Sequence, residues 1–193
     1  QDRFGIEGKA SYSWTGDVAG KVWASFASYD RTGAIATDNA GAAGGVYVED
    51  SYTTTAYDIG VSVTSGNLGL VGYYYDADGA GLTTNLLGNN GAYYDSATSI
   101  KKRESDGGYV QATYVIPTGT KLGVAYGVSN LDKASGETAG TLVDKNERWT
   151  VGAYHPLTKH LNLVAEYNRA ESEAQNGNEI DSDSLSLGAI LFF

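Results

Sequence analysis

The chain has 193 residues, a formal net charge of −10, 26 glycines, 15 tyrosines, two prolines, and no cysteine or methionine. Without cysteine it forms neither disulfides nor thiolate metal centres, and an acidic chain without a basic cluster offers little to phosphate, so nucleic acid is not an expected partner. Mean hydropathy is −0.28 and no segment approaches the ~20 consecutive apolar residues of a membrane helix, but a membrane strand needs only ~9–11 residues with every second one apolar.

Read from the N-terminus, nearly every segment alternates with period 2. Residues 3–14 (RFGIEGKASYSW) and 20–30 (GKVWASFASYD) open the series. Tyr57, Ile59, Val61 and Val63 come next, then Leu68, Leu70 and Tyr74, then Val110, Ala112, Tyr114 and Ile116. Leu122, Val124, Tyr126 and Val128 alternate with Lys121, Gly123, Ala125 and Gly127. Trp149, Val151 and Ala153 alternate with Arg148, Thr150 and Gly152. Leu161, Leu163, Ala165 and Tyr167 alternate with Asn162, Val164, Glu166 and Asn168; Leu185, Leu187, Ala189, Leu191 and Phe193 alternate with Ser184, Ser186 and Gly188. Alternation of this kind, with one apolar and one polar face, predicts about nine strands and no appreciable helix.

A β-sandwich alternates in the same way, so the connections decide. They are short at residues 15–20, 65–67, 117–120 and 155–160, and long at residues 31–55, 76–108, 130–147 and 169–182. Pro117 and Pro156 both fall in short turns, where a missing N–H is harmless. Short turns at one end and long polar loops at the other are the plan of an outer-membrane barrel. Trp14, Tyr114 and Phe193 stand near the short-turn end of the apolar face, and Tyr57, Trp149 and Tyr167 near the long-loop end. They predict two aromatic girdles at the membrane interfaces. The same parity puts Arg3, Glu7, Lys9, Asp58, Lys121, Arg148 and Glu166 on the polar face.

Residues 148–163 (RWTVGAYHPLTKHLNL), 164–169 (VAEYNR) and 184–193 (SLSLGAILFF) resemble the end of Gram-negative trimeric general porins. The stretches YDIGVSV, LGLVGYYYDADG, GGYVQATYV and TKLGVAYGVSNLD resemble successive earlier strands of that family. The resemblance implies an all-β, transmembrane antiparallel barrel of sixteen strands. Residues 1–193 would form one barrel domain, incomplete at its N-terminus, with the family's inward-folded constriction loop in the missing part. It further implies a passive channel without enzymatic activity or cofactor, a homotrimer, and contacts with outer-membrane lipid and lipopolysaccharide. Phe193 would be the terminal aromatic read by the barrel-assembly machinery. The seven charges named above would then line an aqueous pore.

Other chemistry finds little footing. His155 and His160 flank one short turn and read as solvated rather than as a metal pair, and no Ser–His–Asp set can be assembled. Asp76-Ala77-Asp78-Gly79 resembles the start of a calcium loop, but Leu87 stands where the bidentate glutamate is required, which leaves a turn. Lys101, Lys102 and Arg103, like the carboxylates Glu171, Glu173, Glu179, Asp181 and Asp183, read as parts of solvated loops. The rival readings are a plugged structural or adhesive barrel of eight to ten strands and a secreted β-sandwich. A narrow barrel fills its interior with side chains, and the glycine- and serine-rich polar face argues against that.

Overall fold

The computed structural model describes residues 4–36, 46–82, 91–96, 99–138 and 140–193. Eleven strands form in chain order, and no helix is present among the described residues. They are β1 (Ile6–Trp14), β2 (Val18–Ala36), β3 (Val46–Ser65), β4 (Leu68–Asp78), β5 (Ala92–Ser96), β6 (Ser99–Lys102), β7 (Glu104–Val115), β8 (Lys121–Leu131), β9 (Val143–Thr158), β10 (Leu161–Ala174) and β11 (Glu179–Leu191). Nine of them make one antiparallel sheet in the order β1-β2-β3-β4-β7-β8-β9-β10-β11, and β5 pairs with β6 as a separate hairpin. Each strand of the large sheet therefore pairs with its neighbours in the chain, apart from the hairpin inserted between β4 and β7.

The short connections tighten into turns. Gly66-Asn67 joins β3 to β4 with Gly66 at a φ of 54°, the left-handed conformation that a two-residue hairpin turn demands. Two of the expected connections are corrected. Residues 155–158 are not a turn: β9 continues through His155 and Pro156, and only Lys159 and His160 remain between it and β10. Residues 169–182 are not a long loop: β10 and β11 stay paired as far as Glu173↔Glu179 and close over residues 175–178. On this side of the sheet, strands grow far past the length a bilayer needs. β2 and β3 run for 19 and 20 residues against the ~9–11 required to cross. Asp76 and Asp78 likewise sit inside β4, and the turn begins at Gly79.

Side chains on one strand alternate between faces, and paired residues share a face. Following the register across the sheet puts Leu185, Tyr167, Val151, Val124, Ala112, Leu70 and Val63 on a single face. This face is bare. Leu187 is 77% exposed, Leu185 71% and Val151 56%. Among the described residues the buried apolar side chains are few by comparison: Ala77, Leu82, Leu131, Ala92 and Ala134, all toward the long-loop end. A water-soluble domain buries its large apolar side chains; this sheet displays them. Trp14, Tyr57, Tyr114, Trp149 and Tyr167, the described girdle residues within strands, all fall on the apolar face in the observed register.

Candidate functional site

The opposite face carries the polar groups, arranged in rows that run across the strands. One row is Lys9, Ser25, Asp58, Tyr75, Gly107, Ser129 and Asn146. Six of the seven predicted charges lie on this face: Glu7, Lys9, Asp58, Lys121, Arg148 and Glu166. Arg3 lies outside the described residues. Glu7, Lys9 and Asp58 border one cleft, while Lys121, Arg148 and Glu166 stand apart from it on β8, β9 and β10. Ser25 Oγ donates to Asp58 Oδ2 at 2.5 Å, while Asp58 Oδ1 is buried and accepts no hydrogen bond. Tyr154 donates its hydroxyl to Glu166. Arg148 donates to the amide oxygen of Asn168 through Nη2 at 2.6 Å and Nε at 3.2 Å, and Thr150 Oγ1 donates to the same oxygen at 2.7 Å. This anchor is neutral, so it fixes the guanidinium without cancelling its charge.

From its sequence the polar face carries glycine, serine, threonine, asparagine and charges, with few large apolar residues. The structure corrects this, because Trp23, Tyr73, Tyr75, Tyr109 and Tyr154 all stand on it. Trp23, Tyr75 and Tyr154 lie down over glycines. A Cβ on Gly60 would stand 2.1 Å from the Trp23 indole, one on Gly107 2.8 Å from the Tyr75 ring, and one on Gly152 2.8 Å from the Tyr154 hydroxyl. Glycine in a strand commonly marks such a close approach. Laid flat, Tyr75 reaches across β7 to share a 2.5 Å hydrogen bond with Ser129. Tyr73 and Tyr109 meet at 5.5 Å between ring centroids, Tyr73 and Tyr75 at 6.4 Å, and Lys9 Nζ sits 5.9 Å over the Trp23 ring. The signal was present in the sequence as glycine on one strand opposite an aromatic on the next, but it emerges only once the register is known.

Between β4 and β7, the described residues 79–81 lie against this face. The row beneath them is small: Ala27, Ala56, Ala77 and Ser105, between Glu7 and Leu131. Thr54 Oγ1 donates to Gly79 O at 2.9 Å, and Leu82 and Ala92 are buried. The basic run just before β7 is anchored, which corrects the solvated-loop reading. Lys101 donates to Ser135 O at 2.8 Å, Lys102 pairs with Asp78, and Arg103 grips Glu137 with Nε at 2.9 Å and Nη2 at 2.5 Å. The two side chains are only 12% and 6% exposed. Ala134 N–H also donates to Glu137. Burial pushes the Glu137 carboxyl up, but hydrogen bonds from Arg103 and Ala134 and the guanidinium charge outweigh it and hold the group below its ordinary value.

The two histidines do not converge. His155 Nδ1 shares a 2.9 Å hydrogen bond with Thr120 Oγ1, and His160 Nδ1 lies 3.2 Å from Phe192 O, to which it donates. Among the described residues no group of three or more His, Asp or Glu side chains is placed to hold a metal. Phe193 lies beyond β11 and is fully exposed.

An antiparallel meander with an exposed apolar face, aromatic belts, and a polar face under an infolded loop is the all-β transmembrane barrel fold of outer-membrane channels. Two chains of known structure match it. One is the outer membrane channel DcaP of Acinetobacter baumannii, with a TM-score of 0.72 and 16% sequence identity over 96% of this chain. That match takes in 54% of the DcaP chain, so the present chain spans about half the channel's length. No protein-family model and no curated protein matches the sequence.

Proposed function

We propose that the chain is part of a porin of the bacterial outer membrane, forming a passive aqueous channel for small hydrophilic solutes and ions. One observation carries this reading: a single register puts six charged side chains on one face and the large aliphatic side chains, exposed, on the other. In a wide barrel the polar face lines water and the apolar face meets lipid. Glu7, Lys9, Asp58, Lys121, Arg148 and Glu166 are then pore-wall charges, and the infolded segment after β4 narrows the passage from within. Sixteen strands, a homotrimer, lipopolysaccharide around the long-loop end and recognition of Phe193 by the assembly machinery complete the proposal. The barrel performs no catalysis and needs no cofactor.

The infolded segment also favours a second reading. In a barrel of eight to ten strands it would fill the interior and leave a plugged structural protein. Reconstitution of the full-length protein in planar bilayers separates the two. Stepwise ohmic conductance in KCl is the outcome expected of the pore, and a silent bilayer containing verified, folded protein refutes it.

A further inference from the structure

We infer that the polar face carries a binding subsite for neutral, hydroxyl-rich ring solutes of the sugar type. The inference rests on the pore reading and names a solute class for it. The subsite is a cleft of about 650 Å³ lined by Lys9, Ser25, Asp58, Tyr73 and Tyr75, with Gly81 of the infolded segment at its edge. Tyr73 continues along the next row into Trp23 on one side and Tyr109 on the other, so three aromatic rings form one lane.

The chemistry of the cleft narrows its occupant. Two carboxylates, Glu7 and Asp58, against one ammonium, Lys9, disfavour anions. The cation position over the Trp23 face is already taken by Lys9, 5.9 Å from the ring. A purely apolar solute would cover the charged groups of Glu7, Lys9 and Asp58 without offering them a hydrogen bond. Asp58 Oδ1 in particular is buried without a donor, a costly condition that leaves this carboxylate short of hydrogen bonds. A sugar ring satisfies all of these demands. Its C–H face lies on a tyrosine ring, and its hydroxyl rim donates to a carboxylate and exchanges hydrogen bonds with Ser25 and Tyr75.

The test uses the full-length protein and two probes, raffinose and a polyethylene glycol of the same hydrodynamic radius. Ion current across planar bilayers and calorimetric titration in detergent micelles are measured in parallel. The inference expects saturable block and saturable heat with raffinose and neither with the glycol. Tyr73→Ala should weaken raffinose by about three- to tenfold, the worth of one stacked ring, and Asp58→Asn should weaken it as well. Tyr73→Phe, which keeps the ring, should bind within about twofold of the parent protein. Raffinose that behaves as the glycol does, or an affinity indifferent to both Tyr73→Ala and Asp58→Asn in protein with unaltered heat-modifiable migration, overturns the subsite. Calorimetric binding without any conductance keeps the subsite and removes the pore.

Discussion

On the pore reading, replacing Arg148 by glutamate reverses one wall charge while leaving the wall in place, because its partner Asn168 offers an amide that can donate as well as accept. The size of the effect follows from Coulomb's law. An ion passing about 6 Å from a unit charge in water gains or loses ~0.7 kcal/mol, and a Debye length of ~10 Å at 0.1 M salt reduces this to ~0.4 kcal/mol. Charge reversal acts twice on the cation and twice, with opposite sign, on the anion. The cation-to-anion preference therefore moves by ~1.5 kcal/mol, about tenfold. At 1 M the Debye length is ~3 Å and the same change falls to about twofold. The assay is the reversal potential of the reconstituted full-length protein across a KCl gradient, for parent and Arg148→Glu, at both ionic strengths. A conducting variant with an unmoved reversal potential would show that Arg148 does not face the ion path. A shift that survives 1 M salt undiminished would show that something other than wall charge sets the selectivity. Lys121→Glu, at the short-turn end of β8, should shift selectivity in the same direction.

Three further outcomes test other parts of the structure. Gly60→Ala puts a methyl 2.1 Å from the Trp23 indole, which must stand up from the wall; single-channel conductance should fall and stability should drop by about 1–3 kcal/mol, and unchanged values of both refute the close approach. Glu137 has a depressed pKa in the fold, so its clamp on Arg103 contributes fully above the ordinary carboxylate value of ~4.3 and is lost as pH falls through the folded value; the protection factor of the Ala134 amide, the intrinsic exchange rate divided by the observed rate at each pH, should fall in acid but stay flat from pH 6 to 8, and a protection factor indifferent to acid argues against the clamp. Spin labels at Leu187 and Ser186 should answer to lipid-soluble and water-soluble quenchers respectively, and Leu187→Arg should cost about 2–4 kcal/mol if the site lies near mid-membrane; the reversed quenching pattern would invert the two faces.

Much of the fold could be read directly from the chain because period-2 alternation states which face each residue takes. Leu185 and Leu187 against Ser184 and Ser186 needed no tertiary information, and the register then placed Asp58, Arg148 and Glu166 together on the polar face. Strand ends were less legible. The carboxylates Glu171, Glu173, Glu179, Asp181 and Asp183 suggested a solvated loop, yet β10 and β11 remain paired there, because backbone pairing in a hairpin tolerates charged side chains that reach water. The infolded segment was invisible for a different reason. It meets the sheet at one end of a row of small residues, Ala27, Ala56, Ala77 and Ser105, of which Ala77 and Ser105 are buried, and these become a row only after the strands are aligned. The Arg103–Glu137 pair joins residues 34 apart, and no local pattern announces it.

That row of small residues has an evolutionary consequence on the pore reading. The infolded segment meets the sheet where side chains end at a methyl or a hydroxymethyl, and Ala77 beneath it is 4% exposed. Exchanging Ala77 for valine inserts bulk at this contact, while the hydrogen-bonded ladder and the side chains of the apolar face keep their places. Permeability and foldability are thereby written at separate positions. A lineage under pressure from a toxic or a scarce solute can then resize its passage by single substitutions along this row, without risking the assembly of the barrel that surrounds it.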